Sequence, residues 1–489
     1  MNTTMVWAGM AIFFVFSFLT AMLSRQGKAS SMDAYFLGNR KLNGFVSALS
    51  YSSTTYSAFM MVGLAGLTYT GGVGAFGFEI VYFIGVTLIL IFGPRFWLVG
   101  KKFGYITPSE MIGDRYQSKL SASVISLVSC LFLIPYSAVQ LTGVGYLLSG
   151  ITNQAIPFMA GVVIATFVAI LFSLIAGIRS VVWTDSLQAL VMIVSSTVVV
   201  LLVVSKLGGF GAFFQDLQSN HPEKLSVPGN GYFNIYTFIN LTVPWFFFSI
   251  SNPQVSQRLF MPSSKKAMRQ MLLGFLIFGF IYTLVSVMWG YSALIKFPNL
   301  EKPDLATPML LSSDLVPSVL GLIVMIGILA AAISTIDSIL LTLSSLFSRD
   351  IYGYMKKDTD DRQQLRVGKI VIPIIAVLAF VFATLELDLI AVLSVASSAG
   401  LIVSVPSIIG AFFWKRGTSA GTTASVIVGA AVVLFMQFTG IAPLKFGAGV
   451  WGLTVSAVVF IVVSLFTEPP KEKAHAFMDE LREKLREKS

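Results

Sequence analysis

Long apolar runs, separated by short polar or charged clusters, follow one another along nearly the whole chain. Most are long enough for a helix that crosses a bilayer, which needs about 20 residues, and longer than the ~10-residue alternating strands of a membrane β-barrel. The pattern therefore predicts an all-α membrane protein with one transmembrane domain at 1–467. We predict thirteen transmembrane helices, at 4–24, 43–70, 75–99, 120–150, 155–178, 181–205, 233–255, 270–295, 313–348, 368–386, 390–413, 419–440 and 447–467.

Two of the predicted spans are interrupted by polar residues, proline or glycine. The second span is polar over 50–57 and then carries several glycines, and the seventh contains Pro244, Asn252 and Pro253. A helix that breaks inside a membrane is tolerated where it lines a site. Two broken helices five spans apart fit an inverted repeat of five helices. Serine-rich breaks also serve as helix-packing devices, and this alternative stays open.

Composition and charge placement agree with a membrane protein. Hydrophobic residues make up 55% of the chain, charged residues 11%, and mean hydropathy is +0.82, which excludes a soluble enzyme and a disordered protein. The net charge of +10 reflects loop placement, so nucleic-acid binding is not needed to explain it. The positive-inside bias predicts an outside N-terminus and a cytoplasmic C-terminus. Of the 33 basic residues, 28 fall in the predicted inside loops and tail, Arg258 among them. The other five fall in the predicted outside loops, namely Lys206, Lys224, Lys296, Lys302 and Lys445.

Three carboxylates lie within apolar spans: Glu79, Asp185 and Asp337. Since an ionisable group at membrane depth costs about 2.5–3.5 kcal/mol or more, each is expected to face a cavity or a partner. A structural role, such as capping a helix break, is the alternative for each of them.

The ninth predicted span places four side-chain oxygens close together, from Ser334, Thr335, Asp337 and Ser338. Oxygen ligands suit hard cations. The only histidines in the sequence lie outside the spans and it has a single cysteine, so a zinc or iron site and an intrachain disulfide are not expected.

Several short motifs, in order and each at the corresponding span, resemble the sodium:solute symporter family. They are YFLGNR at 35–40, GIRSVVWTDSLQ at 177–188, QRLF at 257–260, AAIST at 331–335, SSAGL at 397–401 and FWKR at 413–416. The resemblance covers essentially 5–467 and is greatest to pantothenate-type and related organic-acid symporters. It implies thirteen spans with a LeuT-type five-plus-five inverted repeat in spans two to eleven, about 43–413.

The resemblance also implies a main sodium site. Its ligands would be the backbone carbonyls of Ser53, Tyr56 and Ala331 and the hydroxyls of Ser334 and Thr335. All five positions are chemically compatible with this role.

Some family members have a second sodium site, which would map onto Asp185, Ser334, Asp337 and Ser338. This chain departs from the pattern because Asp337 is a carboxylate in place of a hydroxyl. Two carboxylates in one site either bind a cation tightly or share a proton. We expect these two to approach closely, and whether the site holds sodium or a proton stays open.

Substrate contacts implied by the resemblance match Thr55, Ser57, Met60 and Glu79, with an aromatic inner gate at Phe248 and Trp245 one turn before it. Tyr136 and Gln140 are added from their polarity alone. Glu79 argues against a simple anionic substrate unless it is protonated or offset by a cation.

These observations predict a sodium-coupled symporter of a small polar organic solute, acting by alternating access in the cell membrane, and not an enzyme. A proton-coupled carrier or channel and a transporter-like sensor are the alternatives. Expected partners are the solute, sodium and lipid, and an accessory subunit stays open. Residues 468–489 are expected to form a cytoplasmic amphipathic helix on the inner leaflet or on the bundle, and 349–369 a solvated connector.

Overall fold

The structure is a computed structural model that describes residues 2–24, 31–356, 359–385 and 389–486, and it is helical throughout these ranges apart from turns and one isolated bridge between Leu42 and Pro262. Its α-helices, in chain order, are α1 (Thr3–Ser24), α2 (Met32–Leu37), α3 (Gly44–Thr55), α4 (Ala65–Gly71), α5 (Gly74–Val86), α6 (Leu88–Phe103), α7 (Pro108–Arg115), α8 (Lys119–Ile151), α9 (Phe158–Lys206), α10 (Gly209–Asn220), α11 (Ile235–Phe246), α12 (Phe248–Ser251), α13 (Pro253–Ser256), α14 (Lys265–Lys296), α15 (Ala306–Leu311), α16 (Ser318–Ser345), α17 (Gly353–Met355), α18 (Asp361–Ala383), α19 (Ile390–Leu401), α20 (Val405–Phe413), α21 (Ser419–Thr439), α22 (Ala448–Leu465) and α23 (Lys471–Arg486).

Eleven helical segments within the described ranges are long and apolar enough to cross a membrane. The predicted spans 43–70 and 233–255 are missing from that set because both are broken. The first is divided into α3, a π-helical segment at Phe59–Leu64 and α4. The second is divided into α11, α12 and α13. The predicted interruptions are confirmed.

Helices α3, α9 and α16 pack against one another at the centre of the bundle, with α14 on the other side of α3. Helix α8 packs along α9, α16, α18 and α19. The polar stretch of α3 is buried in this arrangement although it consists largely of serine and threonine. The three elements that carry residues 50–57, Asp185 and 334–338 are therefore neighbours.

Helix α9 joins two predicted spans, 155–178 and 181–205, in one element that is kinked at Gly177. Gly177 has φ +59° and ψ 173°, a conformation that is essentially restricted to glycine. The kink lies eight residues before Asp185 and changes the direction of the helix that carries it.

The C-terminal helix α23 packs on the bundle through its apolar face. Phe477 is fully buried, with its ring 5.8 Å from those of both Phe103 and Phe412. Ion pairs of 2.6 Å join Lys415 to Asp479 and Lys473 to Asp114. The predicted tail helix is thus present and contacts the bundle, while residues 487–489 of the predicted tail lie outside the described residues.

The segment 349–369 was predicted to be a solvated connector, but its first part is packed into the bundle. Asp350 is buried in a π-helical segment, Leu346–Tyr352, and accepts hydrogen bonds of 2.7 Å from Thr107 and Ser126. Arg349 pairs with Glu110 at 2.8 Å. A polar cavity of about 800 Å³ lies beside these groups, and Lys473 of α23 is part of its lining. Residues 357 and 358 of this segment lie outside the described residues.

Candidate functional site

The end of α3 meets the middle of α16 in a cluster of buried oxygens. The Thr335 hydroxyl donates to the carbonyl of Ser53 at 3.3 Å and to that of Ala331 at 2.8 Å. The hydroxyls of Ser53 and Ser334 are 3.2 Å apart. The structure therefore brings together four of the five residues predicted for sodium, and we call Ser53, Ala331, Ser334 and Thr335 the oxygen cluster.

Tyr56, the fifth residue predicted to bind sodium, caps the C-terminal end of α3. Its φ of −94° and ψ of 54° leave the helical region. Its ring stacks on Phe275 at 4.9 Å. A Cβ added at Gly279 would lie 2.1 Å from the Tyr56 hydroxyl, so the close approach of α14 requires glycine there. Backbone carbonyls in the last turn of a helix have no hydrogen-bond partner within that helix.

Asp185 is fully buried and is paired with an arginine that our sequence analysis counted as a loop residue. Arg258 is 4% exposed, and its Nη2 donates to Asp185 Oδ2 at 3.3 Å and to the Ser338 hydroxyl at 2.7 Å. It also donates to the hydroxyls of Ser50 and Thr54. Ser50 donates to Asp185 Oδ2 at 2.9 Å. We call Ser50, Thr54, Asp185, Arg258 and Ser338 the arginine cluster.

The four residues predicted to bind a second cation contact different partners. Asp185 and Ser338 bind Arg258, whereas Asp337 accepts a 3.0 Å hydrogen bond from Ser173. Ser334 belongs to the oxygen cluster and also lies beside Asp185. Asp337 is near enough to Asp185 for the two carboxyl groups to interact electrostatically. Asp185 therefore has a positively charged partner in Arg258, which the sequence did not predict.

The sequence contained a signal for Arg258, in the QRLF motif at 257–260. Charge counting assigned it to a cytoplasmic loop because it follows the seventh predicted span. In the structure this stretch follows the break between α11 and α13 and forms a buried 3₁₀ segment at Gln257–Phe260.

All eight residues predicted to contact substrate are buried. Trp245 and Phe248 have ring centroids 4.7 Å apart, and Tyr136 lies 5.8 Å from Phe248. Gln140 is one turn from Tyr136 on α8, so the two share a helix face. Thr55, Ser57 and Met60 lie at the α3 break, where the Ser57 carbonyl accepts from the Met60 amide at 3.2 Å.

Three aromatic side chains that sequence reasoning missed complete the group around Trp245. Phe59, Phe78 and Tyr82 have ring centroids 4.9, 5.6 and 5.5 Å from that of Trp245. The four aromatic residues within 76–83 were the available signal, but core packing gives the same composition. The aromatic cluster is defined by Phe59, Phe78, Tyr82, Tyr136, Trp245 and Phe248.

Glu79 lies against this aromatic cluster. Its carboxyl is fully buried, and neither oxygen has a hydrogen-bond partner among the described residues. The Trp245 indole is beside it. The phenols of Tyr56, Tyr82 and Tyr136 are within electrostatic range of the carboxyl. The hydroxyl of Tyr136 and the amide of Gln140 likewise have no partner in the described part of the chain.

Buried polar groups without partners are rare in proteins and call for an explanation. Glu79, Tyr82 and Tyr136 are such groups, and they lie close enough to interact electrostatically. The oxygen cluster offers the ligand type that hard cations prefer.

Known proteins similar to this chain include sodium-coupled symporters. The model of the sodium:solute symporter family matches residues 35–429. The chain is 25% identical over 500 residues to a sodium/proline symporter of Staphylococcus aureus, covering 98% of this chain and 96% of the relative. It is 26% identical over 466 residues to a sodium/pantothenate symporter of Haemophilus influenzae, covering 94% and 96%.

Two solved structures share the fold. A Na⁺-coupled sialic acid symporter in a substrate-bound outward-open state matches with a TM-score of 0.81 and 19% identity, over 95% of this chain and 98% of that one. A nucleobase-cation-symport-1 family transporter in a closed conformation matches with a TM-score of 0.60 and 12% identity, over 91% and 98%.

Proposed function

The chain belongs to the sodium:solute symporter family, and from this premise we propose that it couples the entry of sodium to the uptake of a small polar organic solute by alternating access. The family and the relatives are transporters and not enzymes. The observation that carries the proposal is the oxygen cluster beside a buried region of unpartnered polar groups.

We propose that the broken segments 43–70 and 233–255 also cross the membrane, which makes thirteen spans with a five-plus-five inverted repeat in spans two to eleven. The protein would lie in the plasma membrane, with the N-terminus outside and the C-terminus in the cytoplasm. The positive-inside bias supports this orientation. Residues 1–467 would form one transport domain, with its core at about 43–413, and 468–489 a cytoplasmic tail.

In this proposal Ser53, Tyr56, Ala331, Ser334 and Thr335 bind the coupling sodium. The hydrogen bonds of Thr335 to the Ser53 and Ala331 carbonyls support it, since they bring oxygens of both helices together. Thr55, Ser57, Met60, Glu79, Tyr136, Gln140, Trp245 and Phe248 would contact the solute. Their burial around the α3 break and the aromatic cluster supports this part.

A second cation or a proton at Asp185, Ser334, Asp337 and Ser338 is a separate proposal. Since Arg258 already pairs with Asp185, the carboxyl that remains for a cation or proton is that of Asp337. This observation favours proton coupling as the second candidate function. Asp337→Asn would then shift the pH dependence of uptake without abolishing its sodium dependence.

The test is uptake of a solute panel into proteoliposomes that contain the purified protein. The panel holds amino acids, sugars, organic acids and vitamins, each measured with an inward sodium gradient, with an inward proton gradient, and with neither. We expect uptake of at least one solute to require the sodium gradient. Uptake driven equally by the proton gradient in sodium-free buffer would favour the second candidate, and no gradient-driven uptake of any solute would contradict both.

A further inference from the structure

Glu79 is a buried acid without a positive partner. Its side chain is fully buried, and among the described residues it forms no ion pair, in contrast to Asp185, which has Arg258 at 3.3 Å. A buried carboxylate is costly to ionise unless it is paired and hydrogen-bonded. The chain therefore leaves one buried carboxyl group without a positive partner within the region proposed to contact the solute.

The surroundings of Glu79 favour one kind of positive partner. The Trp245 indole lies beside the carboxyl, and the rings of Phe78 and Tyr82 have centroids 5.6 and 5.5 Å from that of Trp245. Aromatic faces attract organic cations, and indole does so most strongly. An ammonium group on an organic solute can satisfy both the carboxylate and the rings.

The remaining polar groups suit the other end of such a solute. The Tyr136 hydroxyl and the Gln140 amide have no partner in the described residues and lie on one face of α8. They can donate to or accept from a hydroxyl, carbonyl or carboxylate group. An organic anion with no ammonium group would instead bring a second negative charge to Glu79 in a poorly solvated site.

We propose that the transported solute carries an ammonium group, either a protonated amine or a quaternary ammonium, which binds between Glu79 and the aromatic cluster. This inference rests on the proposed transport function and specifies its substrate class. It places the solute with compounds that have a cationic nitrogen, including zwitterions, and not with simple organic acids or sugars.

The experiment measures the thermal stability of the purified protein in saturating sodium with two matched sets of solutes. Choline, ethanolamine and L-proline carry the cationic nitrogen. The comparison compounds are 3,3-dimethylbutan-1-ol, which has the shape of choline without its charge, and the anions pantothenate and acetate. We expect at least one ammonium compound to raise Tm in a saturable way, and the three comparison compounds to leave it unchanged.

Glu79→Gln keeps the shape of the side chain and should weaken the apparent affinity for that compound at least about tenfold, while Glu79→Asp should retain part of it. Asp216→Asn, which removes a carboxylate on the exposed helix α10, is the matched control and should bind as the wild type does. The increase in Tm that sodium alone produces shows that each variant is folded.

Three results would overturn the proposal: equal binding of 3,3-dimethylbutan-1-ol, tight binding of an anion, or no binding of any ammonium compound to wild-type protein that responds to sodium. Wild-type affinity in Glu79→Gln would do the same. A protein that shows no response to sodium at all would instead contradict the proposed sodium-coupled function, so the two failures are distinguishable.

Discussion

At the scale of single residues, Arg258 is the positively charged partner of the buried Asp185 carboxylate. Its guanidinium donates to Asp185 and to hydroxyls from α3 and α16, so one side chain connects three helices. A buried pair of this kind adds little net stability compared with apolar packing, but losing one partner is costly because the other charge remains buried. The arginine cluster is therefore sensitive to single substitutions.

Asp185→Asn and Arg258→Gln should each destabilise the protein by about 3–5 kcal/mol, since each leaves a buried polar group poorly paired. The double variant should lose clearly less than the sum of the two, because both charges are removed together. Thermal unfolding of the three variants measures the coupling. Additive losses would show that the pair observed in the structure has no energetic role.

Ser334→Ala and Thr335→Ala each remove one hydroxyl from the oxygen cluster and should weaken the apparent sodium affinity by about tenfold or more, as expected when a hydrogen bond or ligand to a charged group is lost. Sodium titration of Tm or of uptake gives the affinity. Ser196→Ala is the matched control, because the Ser196 hydroxyl bonds to the Met192 carbonyl of its own helix at 2.6 Å. Unchanged sodium affinity in both test variants would remove these hydroxyls from the proposed site.

The sequence identified most residues of the candidate site by type, but could not assign their partners. The polarity of 50–57 and 334–338 was visible within apolar runs, and these segments do meet. Arg258 was missed because charge counting treats every arginine after a span as exposed, and the burial of the segment after the helix break at Asn252 cannot be read from hydropathy. Phe59, Phe78 and Tyr82 were missed because aromatic residues are equally common in ordinary cores.

At the scale of elements, the fold depends on a few positions at which helices break or bend. Asn252 ends α12 and caps α13, with its side-chain oxygen 3.0 Å from the Gln254 amide. Gly177 bends α9 between two segments that each have the length of a span. Such breaks were predictable within 43–70 and 233–255, where polar residues and proline interrupt apolar runs. The bend at Gly177 lies near the boundary of two predicted spans, 155–178 and 181–205, and its non-helical backbone divides α9 there.

Gly177→Ala should destabilise the protein by about 1–3 kcal/mol, because a side chain at φ +59° and ψ 173° is strained. A Cβ there would also lie 3.1 Å from the ring of Tyr35. The measurement is thermal unfolding beside Gly211→Ala, whose added Cβ meets no atom within 4 Å and which should be neutral or slightly stabilising. Equal stability of the two variants would show that α9 tolerates a different path at residue 177.

At the scale of the whole molecule, α23 connects the chain terminus to several distant elements. Phe477 packs against residues of α6 and α20, and Lys473 reaches Asp114 of α7. Hydrogen bonds from Lys415 and Lys102 lower the pKa of Asp479 and Glu480, respectively. The amphipathic pattern of the tail predicted a helix, but it left open whether lipid or protein would cover its apolar face.

Acidification should release α23 from the bundle. Carboxyl groups whose pKa is lowered by contact stabilise the contact at pH values above their ordinary range of about 4, and this contribution is lost as the pH falls through the lowered values. Hydrogen exchange of the α23 amides, sampled between pH 7 and pH 3, should therefore show a gain in exchange beyond the intrinsic pH effect. The shift should be smaller in Lys102→Gln/Lys415→Gln, and equal pH profiles for the two proteins would contradict this account.

The arginine cluster also has a consequence for the order in which the chain is made and inserted. The ribosome completes Asp185 before Arg258, but the Ser338 hydroxyl that accepts from the guanidinium is added 80 residues after it. Until α16 has been synthesised, the guanidinium of Arg258 lacks one of its hydrogen-bond acceptors. We therefore expect Arg258 to remain in contact with water during biogenesis and to be withdrawn only after α16 inserts, so assembly of the central helices is a late step of translation.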